Sequence, residues 1–245
     1  MSDLGVFLEQ ELNDGVEAVL VHSSFAPFRK AGFSLDELIE KFISINGLTV
    51  FMPAMTWRIV NDDYPVFHVN KTPSHVGVLA ERFRSGYAEM RSLHPTHSVS
   101  GYGPLSETIL RYHQLSVTPV DGCSPFGKLL EFNSKIFLLN VDLSVCTNIH
   151  YYEERFAPDF YLDPRIFHAE LIDTSGNSIG HYFRRHNKKV RDFQKFWKSI
   201  CSRGVSTFCA GPISISVFSI STFHSVMMEM FTENNQISLK LEGKK

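Results

Sequence analysis

Residues 16–52 read VEAVLVHSSFAPFRKAGFSLDELIEKFISINGLTVFM, and this stretch contains the alternation that decides the fold. Its first six residues are a compact apolar run typical of a buried strand, and its last five form a second such run. Between them, residues 34–45 repeat apolar side chains at helical spacing, and Ser34 and Glu37 have the spacing of a capping box. A strand, a helix and a strand in this order indicate an α/β protein.

The rest of the chain extends this pattern. Thr72-Pro73 has the form of a helix start, with proline at the first helical position. Residues 136–141 form an apolar run that predicts a third buried strand, and a helix is predicted to begin at Ser144. Residues 165–186 have the pattern of a β-hairpin around the turn TSGN. Further helices are predicted over about 2–13, 192–202 and 222–232, with weak strand character over 205–220.

Length and composition exclude several classes of protein. The 245 residues are 43% hydrophobic without a linker-like run, which predicts one domain over 1–245. The formal net charge of -2 argues against nucleic-acid binding. The N-terminus does not resemble a signal peptide and no apolar run is long enough for a membrane span, so we expect a cytoplasmic protein. The 21 phenylalanines can serve a core or an interface equally, which leaves a homodimer open.

Two loops are rich in side chains that can bind an anion. His22-Ser23-Ser24 follows the first strand, at the edge where ligands gather in α/β sheets. Thr72-Pro73-Ser74, at the predicted helix start, and residues 91–98, RSLHPTHS, offer helix N–H groups and the forked side chain of Arg91. Either loop can equally be a connection held by its own hydrogen bonds.

Residues 146–154, CTNIHYYEE, place a cysteine, a histidine and two carboxylates at helical spacing. A carboxylate beside His150 is a standard general-base arrangement, and it is also an ordinary surface pair. Cys146 lies one turn from that histidine, but a nucleophilic cysteine would also need an oxyanion site. His150 and Glu153 supply too few ligands for zinc, so we predict no metal.

A basic run, RRHNKKVR, occupies residues 184–191 after the hairpin. Such a run is usually a solvated loop. It is also suited to contact an adenosine 3′-phosphate or a nucleotide-linked sugar.

Taken in order, these segments resemble the aminoglycoside 3-N-acetyltransferase family, in which similar motifs follow one another in the same order along the chain. The motifs are HSSF (22–25), GLTVFMPAMTW (47–57), TPSHVGVLAERFR (72–84), RSLHPTHSVSGYG (91–103), CSPFGKLL (123–130) and LLNVDLSVCTNIHYYEE (138–154). The resemblance implies a three-layer α/β/α fold with a central mixed sheet and a C-terminal β-hairpin. It also implies an acyl-CoA-dependent N-acyltransferase that uses coenzyme A, as acetyl-CoA, to modify a small-molecule amine.

The matched positions imply roles for individual residues. His150 corresponds to the proposed general base, Glu153 to the acid one turn later, and Glu81 to a residue that orients His150 or another polar group. Coenzyme A contacts are implied for Ser23, Ser24, Thr72, Ser74, Arg91 and Ser92. On the acceptor side, the motif that resembles HP-x-x-S contributes His97 and Ser98. Because an aminoglycoside calls for an acidic pocket, Asp62, Asp63 and Glu154 are further candidates.

The sequence also departs from the resistance enzymes of this family. The chain is only mildly acidic, and Asn140 stands where a glycine often precedes the valine. Amino sugars, including nucleotide-linked ones, therefore fit as acceptors at least as well as aminoglycosides.

The predicted mechanism is direct transfer. His150 deprotonates the amine, and backbone N–H groups of the Ser23–Ser24 loop or the Ser98 hydroxyl stabilise the oxyanion. A covalent Cys146 intermediate, a hydrolase that uses the His–Glu pair and a non-catalytic coenzyme A-binding protein stay open as alternatives.

Overall fold

A seven-stranded mixed sheet forms the centre of the computed structural model, which describes residues 2–13 and 15–240. The strands of the chain are Ala18–Ser23 (β1), Thr49–Pro53 (β2), Val66–His68 (β3), Met90–Arg91 (β4), Val99–Tyr102 (β5), Ser134–Leu139 (β6), Phe167–Ile172 (β7), Ser178–Phe183 (β8), Ser206–Ala210 (β9) and Ile213–Ser219 (β10). The order in the central sheet is β4-β5-β2-β1-β6-β10-β9. Strand β1 pairs in parallel with β2 and β6, and the outer strands pair antiparallel.

Helices cover both faces of this sheet, which confirms the predicted three-layer arrangement. They are Ser2–Leu12 (α1), Ala26–Lys30 (α2), Leu35–Ile43 (α3), Val78–Gly86 (α4), Ser106–Leu110 (α5), Pro125–Lys128 (α6), Ile149–Phe156 (α7), Pro158–Tyr161 (α8), Trp197–Cys201 (α9) and Ile220–Glu233 (α10). On one face α1, α3 and α4 pack with Val19 and Val21, and on the other α5, α7 and α10 pack with Ala18 and Leu20. No helix within the described ranges is long and apolar enough to cross a membrane.

The central strand explains why apolar runs were a reliable signal. Residues Ala18 to Leu20 are completely buried because β1 has a strand on each side and helices on each face. A strand in that position reads as a continuous apolar run rather than an alternating one. The carboxyl ends of β1, β2 and β6 all point to the same edge, because these strands are parallel.

A second, separate sheet has three strands in the order β3-β7-β8. The predicted hairpin is confirmed as β7 and β8, with Phe167 opposite Phe183 and Ile172 opposite Ser178. Strand β3 adds to it in parallel. This third strand has three residues, too few for a periodic signal in the sequence.

Two predicted helix starts are wrong. Helix α4 begins at Val78 instead of Thr72, because the residues before it make other hydrogen bonds. The Thr72 hydroxyl accepts from the His68 N–H at 2.8 Å, and the Ser74 N–H donates to Glu81 at 2.7 Å. Near Ser144 the chain makes a single 3₁₀ turn, and α7 begins only at Ile149.

Candidate active site

A cleft of about 750 Å³ opens at the carboxyl edge of the parallel strands. Strands β1 and β2, the loop before α4, the first turn of α7 and the segment 185–191 all contribute to its wall. This is the position at which open α/β sheets bind their ligands. The side chains that matter most for its chemistry are Ser23, Trp57, His97, Thr147, His150 and His186.

His150 lies in the first turn of α7 and is held by the residue one turn later. Its Nδ1 is 2.6 Å from Glu153 Oε2, and the Glu153 side chain is completely buried. Glu153 also accepts hydrogen bonds from Arg191 Nε at 3.0 Å and from the Ser238 hydroxyl. Burial alone would raise the pKa of Glu153, but the neighbouring His150, Arg191 and Ser238 together lower it, so Glu153 is ionised at neutral pH.

This contact determines which nitrogen of His150 is free. An ionised carboxylate accepts hydrogen bonds only, so Nδ1 carries a proton toward Glu153 and the lone pair lies on Nε2. No residue of the described chain forms a hydrogen bond with Nε2. This atom is not among the fully buried unpaired atoms, and the His150 side chain lines the cleft. The arrangement of a fixed tautomer and a free nitrogen is the one that a general base requires.

A second histidine–glutamate pair lies against the first. His186 Nε2 is 2.7 Å from Glu154 Oε1, and the rings of His186 and His150 have their centroids 4.2 Å apart. Glu154 also accepts from the Thr118 hydroxyl at 2.6 Å and from the Val120 N–H at 3.2 Å. Burial lowers the pKa of His186 well below its usual value, so this ring is neutral at neutral pH.

The structure corrects the predicted role of Glu81 at His150. Both oxygens of Glu81 bond the guanidinium of Arg84 at 2.7 Å, and one also accepts from the Ser74 N–H. Burial alone would raise its pKa, but these hydrogen bonds lower it. Glu81 therefore holds α4 to the loop before it, and Glu153 orients His150 instead.

Arg91 is buried in a cage of oxygen atoms instead of facing a phosphate. Its Nη1 donates to the carbonyls of Val69 and Thr72, its Nη2 to Ala54 at 2.7 Å, and its Nε to the Ser98 hydroxyl at 3.0 Å. The Ser98 hydroxyl in turn donates to the carbonyl of Ala54 at 2.7 Å. Because the hydroxyl proton of Ser98 is already used, Ser98 is not available as an oxyanion donor. We therefore correct two predictions: Arg91 as a coenzyme A contact and Ser98 as an oxyanion donor.

Most of the residues assigned to coenzyme A by sequence lie outside the cleft wall. Ser23 lines it, but Ser92 is completely buried and bonds His113 Nδ1 at 2.8 Å. The others are not part of the lining either: Ser24, Thr72, Ser74 and Arg91. The sequence motifs identified loops that lie near the cleft. Most of the side chains assigned within them do not line the cleft.

The acidic residues expected on the acceptor side do not line the cleft. Asp62 pairs with Arg185 at 3.0 Å, Asp63 is exposed, and Glu154 lies behind His186. His97 does line the cleft, with its ring centroid 5.1 Å from that of His186. No aspartate or glutamate side chain of the described residues is part of the cleft wall.

Several cleft residues were missed or left open by sequence reasoning. The exposed pair Trp57 and Arg58 follows β2, with the Arg58 guanidinium 4.8 Å from the centre of the indole ring. The basic run contributes Arg185, His186 and Lys188, which supports its interpretation as a contact segment. The sequence feature that could have identified this segment is its unusual density of cationic side chains next to the hairpin.

Cys146 is a buried cysteine of the protein core. Its side chain is completely buried, and burial raises the pKa of the thiol to about 12. A cysteine nucleophile reacts as its thiolate, which is scarce at such a pKa. This burial argues against the covalent Cys146 intermediate that the sequence left open.

Comparison with known proteins agrees with this geometry. The family model for aminoglycoside 3-N-acetyltransferase matches residues 20–232. The chain belongs to the aminoglycoside 3-N-acetyltransferase family. This is a family of N-acetyltransferases, and the predicted enzyme class is that of the family.

One relative of this acetyltransferase family member is the SPbeta prophage-derived aminoglycoside N(3′)-acetyltransferase-like protein YokD of Bacillus subtilis strain 168. It is 33% identical over 159 residues, which span 56% of this chain and 58% of the relative. The crystal structure of YokD superimposes with a TM-score of 0.74 at 23% identity, covering 94% of this chain and 99% of YokD.

Two further solved structures confirm the fold of the family. A histidine-to-alanine variant of aminoglycoside acetyltransferase AAC(3)-IVa, in complex with a gentamicin, gives a TM-score of 0.78 at 22% identity and covers 96% of this chain and 91% of its own. The binary complex of AAC-IIIb with CoASH gives 0.73 at 17% identity, with 94% and 96% covered.

Proposed function

We propose that this protein transfers an acetyl or related acyl group from coenzyme A to the primary amine of an amino sugar. The observation that carries the proposal is the His150–Glu153 pair, in which a buried carboxylate fixes one ring nitrogen and leaves the other free in the cleft. Family membership supports the reaction class. The acceptor and the histidine base are our own assignments.

The chemistry starts from an ammonium group, which is not a nucleophile. Once the ammonium has lost one proton to solvent, the neutral amine attacks the thioester carbonyl, and His150 Nε2 takes the second proton as the new C–N bond forms. The C–S bond then breaks, the thiolate leaves with the electron pair, and the proton held by His150 neutralises it. Glu153 stabilises the resulting imidazolium. The oxyanion needs donors in the cleft, and we assign this role to the hydroxyls of Thr147 and Ser23, which line the same wall.

Coenzyme A fits the residues that are present. A relative's structure contains CoASH, and the cleft is large enough for the thioester end of such a molecule. Arg58 and Lys188 line it, are exposed, and have no ion-pair partner in residues 2–13 and 15–240. Unpaired cations of this kind suit phosphate groups. Coenzyme A supplies the activated thioester, and the chain supplies the base and the oxyanion donors.

The charge of the cleft bears on the acceptor. A polycationic aminoglycoside is bound best by a wall of carboxylates, and the described cleft wall has none. We therefore propose an amino sugar of low positive charge as the acceptor, with nucleotide-linked amino sugars ahead of aminoglycosides. The cytoplasmic location, the absence of nucleic-acid and membrane partners, and a homodimer stay predictions, as does the single domain.

Thiol release from acetyl-CoA tests the proposal. The panel contains glucosamine, a UDP-linked amino sugar, gentamicin and apramycin, with wild type and His150→Ala compared at equal protein concentration. We expect release that depends on an amine and that falls in the variant. Equal release without amine would indicate a hydrolase, and no release despite acetyl-CoA binding would contradict the proposed transfer.

A further inference from the structure

The central sheet ends at β9, a strand with one unpaired side. In the strand order β9 is the last member and pairs with β10 alone. It is five residues long, and all five are at least partly exposed. The backbone N–H and C=O groups on the outer side of such a strand form a template for pairing with another strand. The opposite end of the sheet is β4, which has two residues and offers a much shorter edge.

The register identifies the backbone groups that point to this free side. Ser214 of β10 lies opposite Cys209, and its N–H and C=O both bond Asn140 on the β6 side. Because backbone groups alternate sides along an antiparallel strand, the N–H and C=O groups of Cys209 and of Thr207 face outward. None of these four groups has a hydrogen-bond partner within residues 2–13 and 15–240.

Strand β9 lacks the usual protections of an edge strand. Its residues, STFCA, include neither proline nor a charged side chain, and its register with β10 runs without a bulge. No charged residue occurs anywhere from position 204 to position 223. Charged side chains, prolines and bulges are the devices that keep an edge strand from pairing. An edge without them suits a partner strand that is equally uncharged.

We propose that β9 pairs antiparallel with β9 of a second copy of this chain, about a two-fold axis at Phe208. In this register Thr207 lies opposite Cys209 of the second copy, and each such pair exchanges two hydrogen bonds. The two symmetric pairs therefore use all four outward groups of each chain. Ser206 lies opposite Ala210 of the second copy, so the two strands match over their whole length.

The side chain of Phe208 adds an apolar contact at the axis. Its ring packs on that of Phe7 in α1, with centroids 5.3 Å apart, and both residues are half-buried. Val6, next to Phe7, is 50% exposed. At the axis Phe208 meets its own counterpart in a pair without hydrogen bonds, which is the closer of the two pair types in an antiparallel ladder. Pairing thereby covers the apolar surface beside the free edge.

Self-pairing also meets the charge and access requirements. Neither β9 nor β10 carries a charge, so the two-fold axis brings no like charges together in these strands. A single strand supplies both the outward donors and the outward acceptors that its copy needs. No residue of β9 lines the cleft, so the cleft of each copy stays open in the dimer.

Sedimentation velocity over a concentration series tests the association. Wild type should form a species of twice the 27.9 kDa chain mass. Thr207→Lys places two positive charges on one face of the interface and should raise the dimer Kd by roughly 10-fold or more. Ser214→Lys is the matched control, because this exposed serine lies on the same face in the fully paired strand β10. The control should dimerise like wild type, and thermal unfolding checks that both variants are folded.

Disulfide cross-linking tests the register. In a background with Cys123→Ser and Cys201→Ser, Thr207→Cys places a thiol opposite Cys209 of the second copy, at a Cα separation of about 5.5 Å that a disulfide spans. Oxidation should give a covalent dimer. Cys209 without this substitution should give none, because the two copies of Cys209 lie diagonally across the axis, at roughly 7–8 Å. Ser206→Cys is the control, since it lies opposite Ala210.

A wild-type protein that stays monomeric at every concentration would overturn the inference. A dimer that persists unchanged in folded Thr207→Lys would overturn it as well, because its interface would lie elsewhere. Equal cross-linking of Thr207→Cys and Ser206→Cys would contradict the register. Selective cross-linking of Thr207→Cys, together with a weaker dimer in Thr207→Lys alone, is the result we expect.

Discussion

At the scale of single residues, the general base leads to the first prediction. Replacing His150 with alanine removes the proton acceptor, so turnover with the acceptor amine should fall roughly 10²- to 10⁴-fold while acetyl-CoA binding changes little. Steady-state kinetics of thiol release, with the Kd for acetyl-CoA measured in parallel, check this. Unchanged turnover would mean that another group deprotonates the amine.

Glu153 should act through the ring that it orients. Glu153→Gln offers His150 an amide where a carboxylate stood, which weakens the fixed tautomer and the stabilisation of the imidazolium. We expect kcat to fall by roughly 10²-fold or more with a smaller change in KM. Since Arg191 also bonds Glu153, thermal unfolding of the variant must be measured beside the kinetics. A loss confined to stability would show that Glu153 has a structural role alone.

Cys146 provides the contrasting case. If transfer is direct, Cys146→Ala should retain turnover within a few-fold of wild type, because this thiol is buried and protonated. Mass spectrometry after mixing with acetyl-CoA should find no acetyl-enzyme. An acetylated Cys146, together with an inactive alanine variant, would establish the covalent route.

Residue types predicted the contact between His150 and Glu153 better than they predicted the hydrogen bonds of Arg91. His150 and Glu153 are one helical turn apart, so local geometry brings them together wherever the helix lies. Arg91, in contrast, is surrounded by carbonyls from residues 19 to 37 positions away in the chain. No local pattern shows that these carbonyls will use up its donors.

At the scale of helices and strands, the capping box of α3 gives a clean stability prediction. The Glu37 N–H donates to the Ser34 hydroxyl at 3.1 Å, and the Ser34 N–H donates to Glu37 Oε2 at 2.7 Å. Ser34→Ala should lower the free energy of unfolding by about 1 kcal/mol, the usual cost of losing such a cap. Urea unfolding checks this, and turnover should stay unchanged because α3 is remote from the cleft lining.

The loop before α4 shows where element prediction from sequence fails. Thr72-Pro73 has the local form of a helix start, but His75 N–H bonds the carbonyl of Met55 at 3.1 Å and the loop forms part of the cleft wall. Gly77, at φ +133°, then turns the chain into α4. Contacts with a distant strand end outweigh local propensity at this position.

At the scale of the whole molecule, a group of buried histidines should make the fold sensitive to acid. Burial lowers the pKa of His22 to about 4 and of His113 to about 3, and lowers those of His94, His97 and His186 well below 6.5. Below pH 6.5 the unfolded chain therefore binds more protons than the folded one. The stability that these rings contribute is complete above pH 6.5 and is lost as the pH falls.

Each such histidine costs up to about 1.4 kcal/mol of unfolding free energy per pH unit below 6.5. Urea unfolding at pH 7.5, 6.5, 5.5 and 5.0 should show little change between the first two values and a steep decline afterwards. A slope equivalent to several protons supports the buried cluster. Equal stability at pH 7.5 and 5.0 would contradict it.

The fold class was predictable because the apolar runs of β1, β2 and β6 and the helix between the first two are local features. The full cleft was not, because its wall combines strand ends near residues 23 and 53 with the segment 185–191. The pairing of His150 with His186 depends on how that segment returns to α7. Its basic composition indicated a contact surface but did not identify which residue it would contact.

Amine-dependent release of coenzyme A thiol from acetyl-CoA, compared between wild type and His150→Ala, tests the central claim most directly. The account predicts release by wild type with at least one amino sugar and a loss of roughly 10²-fold or more in a folded variant that still binds acetyl-CoA. Equal release by the two proteins, or release that needs no amine, would contradict it.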